Sequence, residues 1–172
     1  MNATYLQDIV RTFQTYKKLG DGALAQTTDD DLHARIDADS NSIAIIIKHL
    51  AGNLRSRFTD FLTTDLEKPN RDRDGEFEMP ERPSRDEIGR WWDSSWAIAL
   101  ATLERLTPAD LERTVTIRGE RFTVVEALNR LATHAAYHVG QIVYLAKHFA
   151  GPDWEPLTIP KRRPPATSGG ST

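Results

Sequence analysis

The chain has 172 residues, enough for one ordinary domain with a core that needs no covalent staples. Hydrophobic residues make up 39% and charged residues 27%, a globular balance, and the formal net charge of -3 offers no basic field for nucleic acid or anionic lipid. Cysteine is absent, which excludes disulfides, cysteine-based zinc sites and a cysteine nucleophile.

The start, MNATYLQDIVRTFQTYKKLG, lacks a basic segment followed by an apolar one, so no signal peptide is expected. The longest apolar run, Ile43 to Ile47, is five residues against the roughly 20 that span a bilayer. A cytoplasmic protein with no membrane partner is the expectation.

Leu6, Ile9, Val10, Phe13 and Tyr16 recur at helical spacing, predicting a first helix over 3–19 that Gly20 and Gly22 stop. A polar, aspartate-rich connection follows to about residue 41. Ser40, Asn41 and Ser42 offer N-caps for a second helix. The β-branched run 43–47 reads locally as strand, but Ile43, Ile46, Ile47, Leu50, Leu54, Phe58 and Phe61 hold the 3.6-residue period to about residue 64.

Residues 66–83, with three prolines and dense charge, read as a loop. Ser84 with Glu87 three residues later is a capping-box start for a third helix, which packs Ile88, Trp91, Trp92, Trp96, Leu100 and Leu103 and ends at Thr107-Pro108. Residues 114–122 alternate around Gly119, predicting a short β-hairpin or extended link. The fourth helix, about 123–149, carries Val125, Leu128, Ala132, Ala135, Val139, Ile142 and Ala146 at steps of three and four, and Gly151-Pro152 stops it. The elements predict an all-α four-helix bundle over residues 1–160, with a mobile tail over 161–172.

His134 and His138 are one turn apart on the most regular helix, the spacing by which a helix offers two imidazoles to one ion. Ala135-Ala136-Tyr137 lies between them, so the glutamate of the HExxH peptidase helix is missing. His49 is the candidate for a third ligand: it borders the apolar stripe of the second helix, on a face that continues through Asn53 and Arg57. Spacing alone leaves open that this face is a solvated margin and that the histidine pair is simply satisfied by neighbours. His33 and His148 are poorer candidates, one in a polar connection and the other at a helix end. Asp72-Arg73-Asp74-Gly75-Glu76 misses the register of a calcium loop, and no phosphate loop or serine elbow is present.

A histidine on the second helix and HxxxH on the fourth resemble the metal site of the DinB superfamily. The strings Asn41-Ser42-Ile43-Ala44, Lys48 through Phe58, Asp60-Phe61-Leu62, Arg71 through Phe77 and His134 through Ile142 resemble its DUF1572 branch, over about residues 3–160. The resemblance implies an up-down-down-up bundle, a nickel, zinc or similar divalent ion on His49, His134 and His138, and a homodimer. It also implies a thiol-dependent transferase or isomerase, or a hydrolase-like activity, acting on a small molecule through metal-bound water or thiol. With no cysteine in the chain, any thiolate must come from a low-molecular-weight cosubstrate. Asn53, Arg57 and Gln141 are candidates for contacts behind the ligands or with the substrate, Arg57 for a carboxylate. The alternative is a bundle that binds a metal or small ligand without chemistry. DNA repair finds no support in the charge.

Overall fold

A computed structural model describes residues 2–160; the tail expected over 161–172 lies outside the described residues. Five helices and one hairpin follow in order: α1 (Asn2–Leu24), α2 (Asp29–His33), α3 (Ile43–Phe58), α4 (Arg85–Arg105), β1 (Thr114–Ile117), β2 (Glu120–Thr123) and α5 (Val124–Ala150). The four long helices are the predicted bundle. The short α2 is an addition within the first connection, started by a capping box between Thr28 and Asp31.

The helix starts follow the sequence signals. Ser42 accepts the Ile45 N–H, and capping boxes join Ser84 to Glu87 and Thr123 to Glu126. At the far end of α5, Gly151 takes φ 56°, a conformation that costs glycine little.

Side-chain hydrogen bonds fix the direction of each helix. Tyr5 Oη donates to Asn129 Oδ1 at 2.8 Å, and Gln26 pairs with Glu155 just beyond α5, so α1 and α5 run parallel. Trp92 Nε1 donates to Asp21 Oδ1 at 2.7 Å, joining the end of α1 to the beginning of α4, an antiparallel pair. Thr102 Oγ1 donates to the Phe58 carbonyl at 3.0 Å, bringing the ends of α3 and α4 together. The bundle is therefore up-down-down-up. Phe58, Phe13, Trp96 and Trp92 form an aromatic centre in that order, with ring centroids 5.2–6.0 Å apart between successive members.

Two predicted boundaries are corrected. Gly20 and Gly22 do not stop the first helix, which continues to Leu24. Gly20 is instead a notch: a β-carbon there would overlap the Trp92 ring. The second helix ends at Phe58 and not near residue 64, because Asp60 turns the chain at φ 48°; Phe61 still reaches the core from that turn, stacked on Phe58 at 5.8 Å.

The loop over 59–84 is bound to the hairpin. Arg118 and Gly119, at φ 57° and 78°, form its two-residue turn, and their N–H groups donate to the Asp65 carboxylate at 3.0 and 2.8 Å. Leu66 N–H donates to the Thr116 carbonyl at 2.8 Å. These bonds hold the hairpin tip and the loop together beside α3 and α5.

Two glycine substitutions are expected to act with opposite signs. Gly20→Ala should destabilise by about 1–3 kcal/mol through overpacking against Trp92, despite alanine's better helix propensity. Gly140→Ala, in exposed helix with open space around it, should stabilise by about 0.5–1 kcal/mol. Urea unfolding midpoints of the two variants provide the check.

Candidate metal centre

The antiparallel packing of α3 on α5 places His49 against His134 and His138. One ring nitrogen from each lies within 4.8 Å of the others, close enough that the three could hold one ion. His49 Nε2 is 3.4 Å from His134 Nε2. His49 and His138 are buried and His134 is half-buried.

The outer nitrogens of two rings are occupied. His49 Nδ1 is 2.9 Å from Glu76 Oε2. An ionised carboxylate only accepts, so Nδ1 carries a proton; in the neutral ring that a metal ligand must be, the lone pair is then on Nε2, on the side of His134. His138 Nδ1 donates to Gln141 Oε1 at 2.8 Å, leaving Nε2 as the lone-pair nitrogen. That His138 Nε2 is buried with no hydrogen-bond partner. Four buried side-chain nitrogens are so orphaned among the described residues: Arg57 Nη1, Trp96 Nε1, His134 Nδ1 and His138 Nε2. Three of them belong to this site, where an electron-pair acceptor would relieve at least the His138 lone pair. The donor set fits a divalent ion of nickel or zinc type.

Glu76 is the residue that sequence reasoning missed. It lies in a single helical turn of the loop, 7% exposed, and Arg71 grips both its oxygens at 2.8 Å. Burial alone would raise its carboxyl pKa; the Arg71 hydrogen bonds and then the His49 bond outweigh it and hold the group below its ordinary value. Gly52 makes room for it, since a β-carbon there would overlap the carboxylate. No periodicity marks a loop residue that reaches a helix. The cue available was a lone glycine at 52 on the helix face beside His49.

The other predicted positions are distributed around this cluster. Asn53 and Arg57 are buried and line the same cavity as His49 and His134, so the face that could have been a solvated margin is interior. Gln141 touches His138 from outside. His33 is remote, with Nε2 3.1 Å from the Pro83 carbonyl, and His148 does not join the group.

Burial, followed by the adjacent imidazoles and the Arg71 and Arg57 charges, lowers His134 from 6.5 to about 3. Burial also lowers His138 to about 4; the Gln141 bond opposes this and His49 reinforces it. Both rings are thus neutral at physiological pH, the state a metal ligand requires.

A crystal structure of a DinB-like protein of Bacillus subtilis, YjoA, shares the fold. It superposes with a TM-score of 0.66 at 15% identity, over 91% of this chain and 99% of that one, a likeness of fold alone. No curated protein matches the chain. A family model described as a protein of unknown function (DUF1572) matches residues 1–163, and the chain belongs to that family. Among the described residues, no helix is long and apolar enough to cross a membrane.

The lowered histidine pKa values predict a direction for acid stability. Unfolded histidine takes a proton near 6.5, whereas folded His138 and His134 resist until about 4 and 3. Across that window the unfolded chain binds more protons, so chelator-treated protein should lose stability as pH falls and gain it back as pH rises. Urea midpoints between about pH 7 and pH 4 measure this, and His134→Gln should flatten the slope; a wild-type midpoint that does not fall would contradict it.

Proposed function

We propose that this protein binds one divalent metal ion on His49, His134 and His138 and uses it to act on a small molecule. The observation that carries the reading is the convergence of three imidazoles, two of them buried with their outer nitrogens hydrogen-bonded to Glu76 and Gln141. The group consists of three histidines among the described residues, and the nearby Glu76 is already engaged by His49 and Arg71. A three-imidazole set without a fourth protein ligand favours catalytic use over a purely structural ion.

Such an ion, when bound, supplies Lewis acidity that brings the pKa of a coordinated water or thiol toward neutrality. The chain's own residues do the positioning. Glu76 fixes the tautomer and orientation of His49, Gln141 does the same for His138, and Arg71 keeps Glu76 ionised. Asn53 and Arg57 present polar groups to the cavity beside the histidines.

The finer reading is a transferase or isomerase that uses a low-molecular-weight thiol, since no cysteine is available within the chain. Activity as a homodimer in the cytoplasm, with residues 1–160 as one domain, completes it. Purified protein supplied with nickel or zinc, a small thiol and an electrophile should then consume the thiol.

Elemental analysis tests the metal site itself. The wild-type protein should carry about one ion per chain, and His138→Ala should lose most of it. Glu76→Gln, which weakens the support behind His49, should lower metal affinity about 10–100-fold while leaving the three ligands in place. Full retention of metal by His138→Ala would overturn the assignment.

A further inference from the structure

The cavity beside the histidines, about 200 Å³, has an arginine wall: Arg57, Arg71, Arg73, Arg118 and Arg130 line it, and no aspartate or glutamate does. The carboxylates that neutralise this wall stand behind it. Glu67 alone serves three guanidiniums, with Arg57 at 2.7 Å, Arg118 at 2.9 Å and Arg71 at 3.1 Å, while Glu76 serves Arg71. Arg73 pairs only with the exposed Asp74, at 3.2 Å. Arg130 has no carboxylate partner among the described residues and lies over the Phe122 ring at 5.6 Å. Five cations against the buried Glu76, the half-buried Glu67 and the exposed Asp74 leave an excess of positive charge in a chain whose net charge is -3.

Arg57 supplies an independent observation. The residue lines this cavity and is 7% exposed; its Nη2 is committed to Glu67, and its Nη1 is buried with no hydrogen-bond partner. A guanidinium that only held Glu67 in place would not need to bury an unpaired donor. A buried N–H of a cation is costly unless an acceptor arrives, and the acceptor that suits it best is an oxyanion. The volume corresponds to six or seven waters at ~30 Å³ each, which admits a small charged group and excludes a nucleic acid strand.

We propose that this cavity binds the anionic end of a small molecule, a carboxylate or phosphoryl group, with Arg57 as the buried anchor and Arg118 and Arg130 completing the contact. The bound group sits against His49 and His134. To call that molecule a substrate rests on the metal-site reading; the anion site itself does not.

Calorimetric titration of the full-length protein tests this, with succinate, inorganic phosphate and neutral glycerol in turn, at constant ionic strength in chloride. Each titration is run on metal-loaded and chelated protein, with metal content measured on the same samples. One of the anions should bind saturably at about one per chain in both forms, and glycerol should not. Arg57→Met, which leaves Glu67 with Arg71 and Arg118, and Arg130→Gln should each weaken that binding about tenfold or more without changing metal content. The preferred anion identifies the headgroup as carboxylate or phosphoryl. If Arg57→Met fails to fold, Arg130→Gln alone decides. The proposal is overturned if neither anion binds, if binding is unchanged in the folded variants, or if it occurs only in metal-loaded protein, since the ion alone would then hold the anion. Arginine-dependent binding in a protein that takes up no metal would sustain the anion site and defeat the metal reading.

Discussion

The carboxylate of Glu76 sits between a guanidinium and an imidazole, out of water, and its partners belong to different parts of the chain. Arg71 comes from the same loop and His49 from the middle of α3. Burying a carboxylate is expensive, and only this complete set of charge-assisted bonds makes it tolerable. The bonds pin a long charged loop to the bundle and set the proton on His49 Nδ1. They thereby direct the Nε2 lone pair at α5, where His138 is held in the corresponding state by Gln141. The metal reading and the arginine cavity both depend on this arrangement, because Arg71 and Glu67 link the support of His49 to the wall that includes Arg57 and Arg118.

The same geometry explains why His134 and His138 are neutral. Three imidazoles and several guanidiniums crowd together in a partly dry space, where a proton on His134 would face both burial and like charge. A cluster of neutral nitrogen donors beside fixed cations is poor at holding protons. It suits one divalent ion at the histidines and anionic oxygen at the arginines.

Much of the fold was legible because its signals are periodic or local. The apolar spacing of α3 and α5, the Ser84–Glu87 capping box and the Gly119 turn each encode structure within a few residues. His134 and His138 were readable for the same reason, being one turn apart on a strongly amphipathic helix. What sequence left open depends on contacts between elements. His49 is one helix away from its neighbours, and family resemblance, more than spacing, brought it forward. Gly20 reads as a helix stop until Trp92 is found against it. Glu76 and Arg71 sit in a loop without period, and the arginine wall gathers residues from the loop, α3, the hairpin and α5. A net charge of -3 gives no hint that five arginines share one cavity.

The central claim is that one ion is held by His49, His134 and His138. Anomalous diffraction from crystals of metal-loaded protein, collected at the absorption edge of the bound element, tests it most directly. The account predicts a single strong peak about 2.0–2.2 Å from a ring nitrogen of each of the three histidines, with Glu76 still bonded to His49 Nδ1 and not to the ion. A peak elsewhere, or a histidine cluster without one in protein shown to contain metal, would contradict it.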